Sequence, residues 1–199
     1  MSAGLITRKL LKHLYTKRGL SDSEIASFIG IDRTAICHLR KAYDIKTRKS
    51  VGELGEEYVI KKLTALGCEV KNLNEQDKTS LYDLLVNKVL RIEVKTASDL
   101  NGTFNFSLTN KPECNHIESD HRIFLPNGRS KKLYRKTCDY IVCVGIKGKQ
   151  VYPFVIPSKD IPDNLQNIRI RPKRSHKYNE YFQKWEYIKK PDAPTSDPK

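Results

Sequence analysis

The chain has 199 residues, which is enough for one ordinary domain or for a small module joined to a medium-sized one. Its formal charge of +14 and pI near 9.5 favour a polyanionic partner, although a basic protein without such a partner would have the same composition. No apolar run reaches the length of a membrane span, and no long apolar segment follows the N-terminal basic residues. We therefore expect neither a membrane-spanning nor a secreted protein.

The cysteines suggest a reducing compartment. There are five of them, an odd number, and none forms a CxxC pair. We therefore expect free thiols in a cytoplasmic protein.

The N-terminal segment has the pattern of consecutive helices. Residues 5–18 repeat apolar side chains at helical spacing, and Gly19 ends the pattern. A capping-box arrangement at Ser21 to Glu24 then predicts the start of a second helix, which should extend through Ile29.

A third helix is predicted after a very short turn. Gly30 permits the turn, and Asp32 can cap the helix formed by RTAICHLRKAY. The segment DSEIASFIGIDRTAICHLRK resembles the bacterial helix-turn-helix signature, with the small residue Ala26 where the helices approach and apolar side chains at the core positions Ile25, Ile31, Ile36 and Leu39.

This resemblance implies binding to double-stranded DNA. The last helix would enter the major groove and expose five side chains to bases or phosphates: Arg33, Thr34, Cys37, His38 and Lys41. Residues 1–50 contain eleven Lys or Arg and four Asp or Glu, a surplus that favours DNA binding over a helical hairpin used only for packing. We assign residues 1–47 to this small all-helical module and Lys46–Ser50 to a linker.

A longer helix is predicted from Val51 to Gly67. Glu56 lies three, four and seven residues before the apolar residues Val59, Ile60 and Leu63, so it extends the buried stripe. Glu57 instead lies four residues before Lys61, which suits an exposed ion pair. Glu56 is therefore the candidate functional glutamate.

A first strand, CEVKNL, and a hairpin, YDLLVNKVLRIEVKT, should follow. A two-residue turn would place Asp83 and Glu93 on opposite faces. One additional loop residue would pair Val86 with Leu90, and then Asp83, Glu93 and Lys95 share one face while the apolar residues share the other. We expect the second register because it separates apolar from charged side chains.

The acidic residues on that face suggest a metal. Two carboxylates 4 Å apart repel by about 4 kcal/mol at an effective dielectric constant of about 20. Mg²⁺ would relieve this repulsion, since it prefers hard oxygen ligands and also binds phosphate oxygens. Lys95 could then hold the attacking water or offset charge that develops on the phosphate.

Glu56, Asp83 and Glu93-Val94-Lys95 together resemble the PD-(D/E)xK nuclease superfamily. The GxxxE start of the helix at Gly52 and the glycine at its end are similar to archaeal Holliday-junction resolvases. The resemblance implies an α/β, restriction-endonuclease-like mixed-sheet domain over residues 51–190, with Glu56, Asp83 and Glu93 as Mg²⁺ ligands and Lys95 as the catalytic lysine. Tyr82 stands where the family name has proline.

The remaining sequence is less regular. Residues 99–138 are expected to form loops with one or two strands that elaborate the site, including a strand at FNFSL, and 139–157 should form a core hairpin. KYNEYFQKWEYI predicts a helix with an aromatic stripe, and residues 191–199 a disordered tail. The irregular spacing of Cys114, His116, His121 and Cys138 argues against zinc.

Taken together, these patterns predict a Mg²⁺-dependent DNA endonuclease, site-specific and of the restriction or homing type. Cleavage of both strands needs two active sites, which a homodimer would supply. A Holliday-junction resolvase and a non-enzymatic helix-turn-helix regulator are the alternatives.

Overall fold

A computed structural model describes residues 6–74, 80–110, 120–174 and 176–189. The chain divides into two compact units, Met1–Lys49 and Ser50–Lys199, which are described separately. Within the described ranges, no helix is both long and apolar enough to cross a membrane.

The first unit is helical. α1 (Arg8–Lys12) continues without a break into a π-helical turn (His13–Lys17), so the predicted first helix is present with a wider last turn. α2 (Asp22–Ile29) and α3 (Arg33–Ala42) follow. Their shared core is formed by buried apolar side chains, among them Leu11, Ile25 and Ile36.

The ends of α2 and α3 form as the sequence predicts. Ser21 and Glu24 make the complete capping box of α2, and the Asp32 side chain accepts a hydrogen bond from the Thr34 N–H at the start of α3. Gly30 has a φ of +77°, a left-handed conformation that glycine adopts without a steric penalty. The predicted pair of helices across a short turn is therefore present.

The second unit begins with α4 (Val51–Ala65) and contains a five-stranded mixed sheet. In chain order its strands are β1 (Val70–Asn72), β2 (Leu84–Val86), β3 (Leu90–Ser98), β7 (Tyr140–Lys147) and β8 (Gln150–Pro157). They lie side by side in this same order, and only the β3 and β7 pair is parallel. The α/β class with a mixed sheet after a small helical unit is confirmed.

The β2–β3 hairpin has the predicted register. Val86 pairs with Leu90 across a three-residue loop, and Leu84 pairs with Ile92. Two of the loop residues, Asn87 and Lys88, have φ values of 51° and 61°. Because side chains alternate along a strand, this register places Asp83 and Glu93 on the same face.

The two sheet faces have different partners. One face packs against α4 through buried side chains that include Val59, Leu63 and Val94. The other face is covered by an antiparallel ladder of β4 (Phe104–Ser107) and β9 (Asn167–Ile170). The predicted strand at FNFSL therefore exists, but it pairs with β9 rather than extending the main sheet.

In the sequence between β4 and β7, the chain forms a short hairpin of β5 (Arg122–Phe124) and β6 (Ser130–Lys132), followed by α5 (Tyr134–Thr137). This agrees with the prediction of loops containing one or two further strands.

The predicted C-terminal helix is wrong. The segment instead forms two 3₁₀ turns, Asn179–Tyr181 and Trp185–Tyr187, separated by Gln183 with a φ of 56°. The Gln183 N–H donates to the Pro153 carbonyl of β8, so this backbone is held by the sheet instead of by helical hydrogen bonds. The predicted disordered tail, 191–199, lies outside the described residues.

Candidate active site

Glu93 is the centre of the charged face. It lies on β3 with only 1% of its side chain exposed, which is rare for an ionised group without partners. Lys95 Nζ donates to Glu93 Oε1 at 2.5 Å, and Lys132 Nζ lies 3.2 Å and 3.0 Å from its two carboxylate oxygens. Burial alone would raise the pKa of Glu93, but the two ammonium groups outweigh it and lower the pKa. Glu93 is therefore a buried carboxylate held in its charged form.

Asp83 lies beside this group at the edge of β2. Its Oδ2 accepts a hydrogen bond from the Val94 N–H at 2.7 Å, and its Oδ1 accepts one from Asn74 Nδ2 at 3.0 Å. Burial raises the pKa of Asp83, and the negative charge of Glu93 raises it further. Among the residues that the structure describes, two lysines bind Glu93 directly and none binds Asp83.

Glu56 reaches the same region from α4. Burial raises its pKa, a hydrogen bond with the Asn74 side chain opposes this shift, and the charge of Asp83 adds to it. Asn74 therefore links the two carboxylates. The neighbouring Glu57 forms the predicted ion pair with Lys61 at 2.8 Å, which confirms that successive glutamates of α4 point in different directions.

Lys95 forms an ion pair with Glu93 and interacts electrostatically with Asp83 and Glu56. Burial alone would lower its pKa, but Glu93 above all, with help from Asp83, raises it, and Lys95 also contributes to the electrostatic environment of Glu56. Its Nζ lies 6.0 Å from the centroid of the Tyr134 ring. The lysine is therefore protonated at neutral pH, which suits charge stabilisation rather than proton abstraction.

Two residues of this site, Lys132 and Asn74, were not predicted from the sequence. Lys132 extends from β6, 39 positions after Glu93, and also donates to the Leu81 carbonyl at 3.2 Å. The only sequence signal for Lys132 was the expectation that residues 99–138 elaborate the site. Asn74 follows the predicted first strand, CEVKNL, and no motif in the sequence marks it.

The chemistry of these donors fits Mg²⁺. Asp83 and Glu93 are adjacent hard-oxygen donors, and Mg²⁺ in phosphate-handling sites commonly uses only one or two carboxylates together with water and phosphate oxygens. In the part of the chain that the structure describes, no three His, Cys, Asp or Glu side chains form a group that could hold one metal ion. Three-ligand binding by Glu56, Asp83 and Glu93 therefore stays a prediction.

In the first unit, α3 presents the side chains predicted to contact DNA. Four of them are exposed, namely Arg33, Thr34, His38 and Lys41, whereas Cys37 is half-buried. A further basic residue of this helix, Arg40, is buried and donates to both carboxylate oxygens of Asp22, at 2.6 Å and 2.7 Å. Arg40 therefore ties α3 to α2, and the other cations of α3 remain on its surface.

The structure describes only part of the group of cysteine and histidine residues considered for zinc. Cys114 and His116 lie outside the described residues. The Cys138 sulfur lies 3.2 Å from the Ser158 hydroxyl in the protein interior, and burial raises the pKa of this thiol to about 12. Cys138 is therefore a neutral, buried thiol. The cysteines Cys37, Cys68, Cys138 and Cys143 are all free.

The fold is similar to that of a bacterial homing endonuclease, I-Ssp6803I. The superposition has a TM-score of 0.51 at 14% sequence identity, and it covers 69% of this chain and 90% of that protein. At this identity, the similarity extends to the fold alone. The sequence matches neither a known family profile nor a curated protein.

Proposed function

We propose that this protein is a Mg²⁺-dependent endonuclease that hydrolyses phosphodiester bonds of double-stranded DNA at specific sites. The observation that carries this proposal is the pair of buried, like-charged groups Asp83 and Glu93 with Lys95 beside them on one sheet face. Two ammonium groups bind Glu93, and burial together with the charge of Glu93 raises the pKa of Asp83, so a metal cation beside Asp83 would relieve the remaining repulsion. Phosphate chemistry uses both a metal cation and a lysine. The net charge of +14 supports a polyanionic substrate.

The protein groups would have separate roles. Asp83 and Glu93 would hold the cation, with Glu56 as the third acidic ligand at the far end of the Asn74 bridge. When bound, Mg²⁺ would supply positive charge next to the phosphate oxygens. Lys95, protonated and 27% exposed, would stabilise the charge that develops on the phosphate as the bond breaks.

Two features support a site-specific enzyme. The α2–α3 pair presents exposed side chains on α3 in the manner expected of a base-reading helix, and these would bind DNA. The similarity of fold to a bacterial homing endonuclease is consistent with this subclass. A homodimer would supply the two active sites needed to cut both strands.

The test is cleavage of a plasmid library with Mg²⁺ and with EDTA. We expect cleavage only with Mg²⁺, and we expect Lys95→Met and Glu93→Gln to abolish it while affinity for the same DNA is retained. Lys88→Met, which removes an exposed lysine from the same hairpin, is the matched control and should cut normally.

Two results would contradict the proposal. Equal cleavage by the wild type and by both site variants would show that the carboxylate and lysine do no chemistry. DNA binding without cleavage under all metal conditions would instead indicate a regulator. A comparison of linear duplex with a four-way junction completes the test, since preference for the junction regardless of sequence would indicate a resolvase.

A further inference from the structure

A cluster of basic side chains outside the candidate active site lies in the α/β unit, at the end of the β4–β9 ladder. A cavity of about 480 Å³ is lined there by six residues, Asn101, Gly102, Thr103, Arg171, Lys173 and Arg174. Half of this lining is cationic, and none of it is acidic. In the chain segments that the structure describes, none of the three cations forms an ion pair with a carboxylate. Such a concentration of unneutralised charge in a concave surface attracts anions.

The cavity is built from ordered turns. On one side, Asn101 and Gly102 both have positive φ values, 51° and 78°, in a tight turn closed by the bridge between Leu100 and Thr103. Gly102 carries no side chain, so a ligand can approach the backbone closely at this point.

On the other side, a hydrogen-bonded turn joins Arg171 and Arg174, whose N–H donates to the Arg171 carbonyl at 3.0 Å. Asn179 Nδ2 fixes this turn by donating to the Arg174 carbonyl at 2.7 Å. Arg171 Nε donates to the Thr103 hydroxyl at 3.3 Å, which orients the guanidinium while its terminal nitrogens remain available. The arginine is thus positioned in advance for a phosphate.

The position of this cavity relates it to the candidate active site. Lys95 and Ala97 project from the same face of β3, because they are two residues apart. Ala97 pairs with Gly145, and a side-chain carbon at Gly145 would lie 2.6 Å from the Phe104 ring. The β4–β9 ladder therefore covers the same sheet face as Lys95.

The cavity opens where that ladder ends, next to the pair of Phe104 and Ile170. The distance along β3 from Lys95 to its end at Ser98 is about 10 Å, at the usual rise per residue of a strand. A DNA strand bound at Lys95 whose backbone ran over the outer surface of the ladder towards its Phe104–Ile170 end would reach the cavity within several nucleotides, since successive phosphates of one strand are spaced by about 3.4 Å along the helix axis.

We infer that this cavity binds a backbone phosphate of the DNA substrate, several nucleotides away from the bond that is cut. The inference rests on the proposed function and adds to it a sequence-independent anchor separate from the helix α3. Three cations at the cavity allow up to three phosphate contacts, through Arg171, Lys173 and Arg174. Such contacts position DNA without reading its bases.

The test measures affinity for a duplex in EDTA, where no cleavage occurs, over a series of KCl concentrations. The triple replacement of Arg171, Lys173 and Arg174 by Gln should reduce the slope of log K against log [salt] by about 0.9 for each lost contact, and thus by about 2–3 overall. The loss of affinity should be the same for all duplex sequences. Conservative replacement of both arginines by Lys should restore most of the slope.

The control removes the same number of charges elsewhere in the α/β unit, from the exposed residues Lys136, Lys149 and Lys159. If the control reduces the slope as much as the triple variant, general charge attraction explains the binding and the inference is overturned. If the triple variant does not fold, single replacements that each reduce the slope by about 0.9 support the inference, and unchanged slopes overturn it. A wild-type protein that binds no DNA would overturn the proposed function together with this inference.

Discussion

Replacement of Lys132 by Met tests how much this lysine contributes to the stability of a fold that buries the charged carboxylate of Glu93. The methionine keeps most of the side-chain volume but removes one of the two ammonium groups that neutralise Glu93, at 3.0 Å. The direct attraction at this distance is about 5–6 kcal/mol for an effective dielectric constant of about 20. Most of it offsets the desolvation of both groups, and a net hydrogen bond to a charged group contributes about 1.5–3 kcal/mol. Because Lys95 remains bound to Glu93, we expect the free energy of unfolding to fall by about 2–3 kcal/mol.

The assay is urea unfolding of four proteins: the wild type, Lys132→Met, Glu93→Gln and the double variant. The two single changes should not add, and their coupling energy should be about 1.5–3 kcal/mol, because each leaves the partner charge buried. Lys71→Met, at an exposed position of β1, is the control and should change stability by less than about 0.5 kcal/mol. A coupling energy near zero would refute the reasoning.

The pH dependence gives a second check with a defined sign. The pKa of Glu93 is lowered on folding, so the stability it contributes is present above its unfolded pKa and is lost as the pH falls through its folded pKa. The difference in stability between the wild type and Lys132→Met should therefore be largest near neutral pH and shrink in acid. A difference that grows as the pH falls would indicate that Lys132 acts on another group.

Three further outcomes follow from the geometry. Gly55→Ala should destabilise the protein by about 1–3 kcal/mol in urea unfolding, because the new carbon would lie 2.9 Å from the Thr96 Cβ and closer still to its hydroxyl, whereas Gly52→Ala meets no such obstacle and should be neutral or slightly stabilising. Asp83→Asn should abolish cleavage without lowering thermal stability at neutral pH. Because folding raises the pKa of Asp83, the free energy of unfolding falls as the pH rises from the ordinary pKa of an aspartate to the raised one, and the neutral amide of asparagine avoids this loss. A large decrease in melting temperature at neutral pH would contradict this. Lys132→Met should lower the Mg²⁺ concentration needed for half-maximal cleavage, since one ammonium no longer competes with the cation for its carboxylate; an increased requirement would count against that competition.

The hairpin register was predictable because one physical criterion decides it. A shift of one residue would have moved Leu84 and Ile92 out of the core and brought charges into it, and both residues are fully buried in the structure. The N-terminal caps at Ser21 and Asp32 were predictable for a similar reason, since they depend only on residues within one helical turn.

The C-terminal segment was not predictable from periodicity. Its buried aromatic residues serve different clusters: Tyr178 belongs to the core on one face of the sheet, and Trp185 with Ile188 belongs to the core on the other. The segment crosses from one face of the sheet to the other in irregular turns. Tyr178, Trp185 and Ile188 are therefore all buried, although they do not lie on one side of a helix. Tertiary packing outweighs local propensity in this segment.

Lys132 was not predictable because its role depends on a contact between residues far apart in sequence. Its own strand, β6, is a three-residue element whose local pattern carries no signal of a buried carboxylate elsewhere. The adjacent Lys131 is only 1% exposed, and its Nζ donates to the carbonyls of Pro162 and Asp163, each at 2.8 Å. This contact anchors β6, so that the next side chain projects towards Glu93.

Gly55, which directly precedes Glu56, links the packing of α4 on the sheet to the position of the Glu56 carboxylate. Gly55 is buried where α4 crosses β3, and its missing side chain lets the helix backbone approach Thr96. Thr96 directly follows Lys95, so the same close approach carries Glu56 to the edge of the charged face and within reach of Asn74. A bulkier residue at position 55 would push the helix outward and move Glu56 away from Asp83, with loss of the link between the helix and the strand carboxylates. If Glu56 is the third acidic ligand as proposed, Gly55 is as necessary as the carboxylate itself, because it sets the distance between α4 and the strand carboxylates.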